Sequence, residues 1–191
     1  MSEPADAILH DDRGRAVLRF ERLLRHPPER VWRALTDDDE QFRWHPTPAS
    51  FEPVTGGSVT WLPGGDVPDM KPGALIEYNP PRALAHTWGE DVLRWELEPH
   101  QDGCLLILTH TFDDRFKAAR DAAGWHLCLD ALSASLDGGE TELGRTFARR
   151  RDGGARPEEG EGPAEWRELN RAYEERLGIP PEKATPPPAR G

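Results

Sequence analysis

The run Val92-Leu93-Arg94-Trp95-Glu96-Leu97-Glu98, then the turn His100-Gln101-Asp102-Gly103, then Cys104-Leu105-Leu106-Ile107-Leu108-Thr109-His110 decides the fold. In the first segment Leu93, Trp95 and Leu97 share one face and Arg94, Glu96 and Glu98 the other, the alternation of a strand with one buried side. So short a turn cannot carry a parallel crossover, which needs about a dozen residues or more, so the two segments are antiparallel neighbours.

Upstream the same chemistry recurs. Short β-type runs at residues 49–54, 58–62, 74–78 and 83–88 are separated by Thr55-Gly56-Gly57, a Pro- and Gly-rich loop over 63–73, Asn79-Pro80-Pro81-Arg82 and Gly89-Glu90-Asp91. With residues 92–98 and 104–112 they predict a meander of six strands. Earlier in the chain, Ala16, Leu18, Phe20, Leu23 and Leu24 predict a further strand over 15–24. Pro27-Pro28-Glu29 opens a short helix with Val31, Trp32 and Leu35 as its apolar side, since a proline loses nothing in a first turn whose N–H groups have no partner. Asp38 and Gln41 stand at capping-box spacing for a second short helix, anchored by Phe42 and Trp44.

Downstream, Asp113-Asp114 can cap a helix over 116–136 in which Ala118, Ala122, Trp125, Leu129, Leu132 and Leu136 form one apolar stripe. Such a stripe must lie on something apolar, and the sheet is the available surface. Gly138-Gly139 ends the helix. The expected fold is α+β: a curved antiparallel sheet of about seven strands, two short helices, and one long C-terminal helix packed across the sheet. Residues 1–14 read as a flexible N-terminal arm, 15–137 as the folded domain and 138–163 as a polar linker. Residues 164–178 read as a short amphipathic helix docking on the domain through Trp166, Leu169, Tyr173 and Leu177, and 179–191 as a disordered tail.

The 191 residues carry 24 basic and 35 acidic side chains, a net charge of -11. An acidic chain repels phosphate backbones, and the dense basic run Arg149-Arg150-Arg151 sits among Gly and Glu, so no nucleic-acid partner is expected. The longest apolar run, Cys104 to Leu108, falls far short of the roughly 20 residues that cross a bilayer. Met1-Ser2-Glu3-Pro4 lacks the cationic start and apolar core of an export signal, so no membrane insertion and a cytoplasmic location are expected. Cys104 and Cys128 lie in apolar segments and read as reduced, buried thiols.

The sequence contains no GxGxxG, GxxxxGK[ST], GxSxG, CxxC or HExxH, so no catalytic residue, metal ligand or cofactor is assigned. His126 and Asp130, at i and i+4 on the long helix, have the spacing of an acid–base pair but lie off the stripe and read as a surface pair. Glu77 reads as a solvent-facing carboxylate. The oddity is seven tryptophans against two tyrosines. An indole brings a large apolar area and one N–H donor, so several converging on one space can wall a pocket for a flat or greasy ligand; simple core filling is the alternative. The candidate lining is Trp44, Trp61, Tyr78, Trp88, Trp95 and Trp125, with His110 or His86 to orient a ligand.

The wording of four segments carries a family resemblance. They are His26-Pro27-Pro28-Glu29-Arg30-Val31-Trp32-Arg33-Ala34-Leu35-Thr36-Asp37, Asn79-Pro80-Pro81-Arg82-Ala83-Leu84-Ala85-His86-Thr87-Trp88, Asp102-Gly103-Cys104-Leu105-Leu106-Ile107-Leu108-Thr109-His110 and Gly124-Trp125-His126-Leu127-Cys128-Leu129-Asp130-Ala131-Leu132. In this order they resemble the START-like (SRPBCC, helix-grip) superfamily, in its bacterial branch similar to the activator of the heat shock protein 90 ATPase. The resemblance implies the helix-grip fold and, as function, binding of a small hydrophobic or aromatic molecule between the long helix and the sheet. Two alternatives come with it: a co-chaperone or other protein-interaction module, and a cyclase/aromatase-like or hydrolase-like enzyme using the same cavity.

Overall fold

The computed structural model describes residues 7–63, 70–151 and 163–181. Its eight strands are β1 (Ile8–Asp12), β2 (Arg15–Leu24), β3 (Ala49–Phe51), β4 (Ser58–Trp61), β5 (Gly73–Asn79), β6 (Ala83–Trp88), β7 (Asp91–His100) and β8 (Gly103–Phe112). They form one sheet in the order β1-β2-β8-β7-β6-β5-β4-β3, every pairing antiparallel. The helices are α1 (Pro28–Thr36), α2 (Asp38–Gln41), α3 (Ala118–Leu136), α4 (Glu142–Arg151) and α5 (Ala164–Leu177). The expected α+β fold, with an antiparallel sheet, two short helices and a long helix beyond the sheet, is the fold observed. No helix among the described residues is long and apolar enough to cross a membrane.

Two segments depart from expectation. Residues 8–12, read as part of a flexible arm, form β1 and raise the strand count to eight. A two-residue turn makes this possible: Arg13 and Gly14 take φ of 53° and 86°, the doubly left-handed pair whose twist matches a hairpin. The second departure is α4, which lies where a polar linker was expected. Phe147 is its buried anchor, and Arg151 reaches Asp39 at 3.1 Å while its guanidinium lies over the Phe42 ring. Ile179, expected in the tail, is buried in the core. Residues 1–6 of the arm, 152–162 of the linker and 182–191 of the tail, together with residues 64–69 of the Pro- and Gly-rich loop, lie outside the described residues.

The capping also resolves differently. Asp37, not Asp38, caps α2, its Oδ1 accepting the N–H groups of Asp39 and Glu40 at 3.1 and 3.0 Å. Gln41 is thereby free to hold the next strand. Its amide bonds both the N–H and the C=O of Ala49, at 2.9 and 2.8 Å, and so fixes where β3 begins.

The long helix α3 is buried on more than its sheet-facing stripe, because α5 packs on its other side. His126, expected at the surface, is buried there. Its Nε2 faces the Asp130 carboxylate at 3.4 Å, which can only accept, so Nδ1 is the acceptor for the Tyr173 hydroxyl at 3.0 Å.

Candidate functional site

Beneath α3 the aromatic side chains interlock through edge-to-face and tilted contacts. Trp95 on β7 meets Trp44 at 5.5 Å and Trp125 at 5.6 Å between ring centroids, and Trp125 meets Trp88 at 5.7 Å and His45 at 5.6 Å. Most of the indole N–H groups are used inside the fold. Trp44 donates to the Ala34 carbonyl, Trp88 to the Thr47 hydroxyl, Trp125 to Nδ1 of His110 and Trp61 to the Lys71 carbonyl. Trp95 is different: its Nε1 has no hydrogen-bond partner among the described residues.

Next to this cluster lies a cavity of about 10 Å³, room for one water molecule. Trp44, Trp95, Leu84, His45 and His86 wall it, and the half-buried Phe51 and Trp61 stand among its lining residues on β3 and β4. Both imidazoles are held through Nδ1. The Thr47 N–H donates to Nδ1 of His45 at 3.1 Å, so the proton of that ring is on Nε2. Nδ1 of His86 faces the Thr87 carbonyl at 3.0 Å, which can only accept, so here the proton is on Nδ1 and Nε2 is a bare lone pair. Neither Nε2 has a partner among the described residues. Burial, reinforced by the neighbouring His86, pushes the pKa of His45 down to about 3, and burial pushes that of His86 down to about 4. Both rings are therefore neutral near pH 7.

A polar chain continues from the cluster toward the start of α3. His110 is wholly buried, with Nδ1 occupied by Trp125 and Nε2 donating to Asp91 at 2.8 Å. The Lys117 ammonium sits on Asp91 and lies 3.8 Å from Asp121. Burial raises the Asp91 carboxyl, but the bonds from His110 and Lys117 outweigh it and the net shift is downward. Burial also raises Asp121, and there it prevails. Asp91, His110 and Asp121 have the spacing of metal ligands, within 4.8 Å of one another. The ammonium of Lys117 already supplies the positive charge that their carboxylates need. With both nitrogens engaged and no exposed surface, His110 acts as a brace between β8 and α3, not as a base open to a substrate.

Of the residues singled out from sequence, Trp44, Trp61 and Trp95 line the cavity, as does His86. Trp88, His110 and Trp125 form the cluster behind it. Tyr78 belongs to neither: it packs edge-on against Trp32 of α1 at 5.4 Å. Glu77 pairs with Arg94 at 2.6 Å and takes no part in the cavity. His45 and Thr47 carry no signal in the sequence, because the loop that buries them has no periodic pattern; Gln41 is legible only as a capping residue.

The family model described as Activator of Hsp90 ATPase homolog 1-like protein matches residues 25–137. The chain belongs to that family. The match starts at the loop before α1 and ends with α3, so it takes in the cavity and the polar chain but neither β1 nor the two C-terminal helices. Among curated proteins none matches the chain significantly. Among solved structures, a conserved protein of unknown function from Enterococcus faecalis is 20% identical with a TM-score of 0.65, over 90% of each chain. CalU16 from Micromonospora echinospora is 19% identical with a TM-score of 0.63, over 92% of this chain and 95% of its own. A Bordetella parapertussis protein is 28% identical with a TM-score of 0.55, over 80% of this chain and 93% of its own. The first two likenesses show the fold. For function, membership of the Activator of Hsp90 ATPase homolog 1-like family supports a ligand-binding or co-chaperone-like role.

Proposed function

We propose that the chain binds one small, flat organic molecule, which lies against Trp44 and Trp95 and enters past Phe51 and Trp61. The supporting observation is where the cavity sits. Its lining includes side chains of β3 and β4, and β4 meets β5 through Ser58↔Ala74 and Val59↔Gly73, with two more backbone bonds between Gly56-Gly57 and Leu75. The sheet ends here in the three-residue strand β3, and a short edge opens locally at a cost below that of global unfolding. Among the described residues the Trp61 side chain makes one hydrogen bond, to the Lys71 carbonyl, and one ring contact, with His86.

Closed, the cavity takes a water-sized group; displacing the Trp61 ring makes room for a second ring in its place. A single-ring ligand that removes about 200 Å² of apolar surface from water gains about 5 kcal/mol, which before association costs corresponds to a Kd of about 0.2 mM, so binding in the millimolar range or weaker is expected. The co-chaperone alternative needs a contiguous apolar docking face. Among the described residues the large exposed apolar side chains are Ile8, Leu23, Val54, Ile76 and Phe116.

The test is a titration of single-ring aromatics, followed by thermal shift and tryptophan emission, against the natural chain and Trp61→Ala. Saturable quenching that strengthens in the variant is expected. Failure of every probe to shift either protein at several millimolar would remove the proposal.

A further inference from the structure

We infer that the molecule taken by this cavity carries a hydroxyl group, which accepts a hydrogen bond from Nε2–H of His45 and donates one to Nε2 of His86. The inference rests on the cavity being a ligand site and names the chemistry of its polar end. Three polar atoms of cavity-lining residues lack partners among the described residues: Nε2 of His45, Nε2 of His86 and Nε1 of Trp95. All three residues are more than nine-tenths buried.

The tautomers make two of these atoms donors and one an acceptor. Thr47 donates to His45 Nδ1 and thereby leaves a donor at Nε2, while the Thr87 carbonyl takes the Nδ1 proton of His86 and leaves an acceptor. The indole nitrogen of Trp95 can only donate. Two donors and one acceptor on residues that line one cavity match the inventory of a hydroxyl, with two lone pairs to offer and one proton to give.

Other ligand classes fit worse. A plain hydrocarbon ring offers none of these three atoms a partner, which is the arrangement by which sites built around a hydroxyl reject the analogue that lacks it. A carboxylate would bring a negative charge against the bare lone pair of His86. Among the described residues no cationic side chain lines the cavity to offset its desolvation. An aryl ether keeps the acceptor but loses the proton that His86 requires. A phenol or a small aromatic alcohol satisfies every group.

The experiment compares phenol, anisole and benzene as probes of the full-length chain, with affinity read from tryptophan emission. Two-bond proton–nitrogen spectra of the imidazoles are recorded alongside. Phenol should bind at least tenfold more tightly than benzene or anisole, and both Nε2 resonances should move on saturation. In His86→Phe and His45→Phe the preference should fall below about threefold. Phenol and benzene binding within threefold of each other would overturn the hydroxyl inference and leave the cavity reading standing. Binding by none of the three would remove both. Phenol preference with unmoved Nε2 resonances would likewise overturn the assignment, and that readout needs no variant to fold.

Discussion

Trp125 donates its indole N–H to Nδ1 of His110 across 3.1 Å, and this bond ties the long helix to β8. The direction of the bond fixes the rest of the chain. With Nδ1 as acceptor, the His110 proton is on Nε2 and goes to Asp91, which in turn holds Lys117 at the entrance to α3. Helix and sheet are thus joined by a buried sequence of donors and acceptors in which each group has its partner.

Trp125→Phe removes the donor but keeps an aromatic ring. Nδ1 of a wholly buried imidazole is then left unpaired and part of the indole volume becomes a void. A loss of about 2–4 kcal/mol in urea denaturation is expected. A loss below about 0.5 kcal/mol would show that the bond contributes nothing to the packing of α3.

The two cavity histidines set an acid limit. Both pKa values are lowered by burial, to about 3 for His45 and about 4 for His86, so the unfolded chain takes up protons that the native chain refuses. Their contribution is therefore complete above the ordinary histidine value of 6.5 and is lost as the pH falls toward the native values. Between roughly pH 6.5 and 4.5 each histidine should withdraw about 2 kcal/mol. Asp91, with its lowered pKa, adds to the loss at still lower pH, whereas Asp121, raised by burial, works against it. Chemical denaturation at a series of pH values checks this, and His86→Phe should remove about half of the slope in that window.

These two predictions turn on residues that differ in how readable they are. Trp125 stands at the centre of a regular stripe, and Trp95 in a clean alternation, so periodicity alone puts both in the interior. His45 has neither. Its burial comes from the loop between α2 and β3 folding over the sheet, held by Gln41 on Ala49, and no local pattern announces a contact between two segments that close on each other. β1 is hidden for a related reason: Ile8-Leu9-His10-Asp11-Asp12 is too polar to alternate, and its pairing depends on a turn whose Arg13 is not the usual Asn or Asp. Tyr78 falls outside the cavity because a register shift between Leu75 and Glu77 resets the facing of the strand, which strict alternation does not foresee.

The cysteines provide a probe of unfolding. Burial pushes the Cys128 thiol up to about 12, and burial with Glu29 nearby pushes Cys104 up to about 11. Neither forms a thiolate at neutral pH, so an aromatic disulfide reagent should react with the native chain only as fast as it unfolds. Two thiols released together in urea, with a rate that tracks the loss of circular dichroism, is the expected outcome. Rapid modification of one cysteine in the native state would place that thiol at an opening site.

The docking of α4 depends on a missing side chain. A Cβ built on Gly144 would lie 2.5 Å from the Arg43 carbonyl oxygen, a backbone atom that cannot swing aside. Gly144→Ala must therefore push α4 off the loop that follows α2, although the same change normally favours a helix by about 1 kcal/mol. Two opposed effects act, and distance decides between them: so close an approach forces a backbone shift that costs more than the helix gains. Losing the seat of α4 should loosen Phe147 and the Arg151–Asp39 pair while the sheet and α3 stay folded. Limited proteolysis should then cut the variant near the run Arg149-Arg150-Arg151 much faster than the natural chain, with little change in the main thermal transition. An unchanged cleavage rate would mean that the contact between Gly144 and Arg43 does not hold the helix in place.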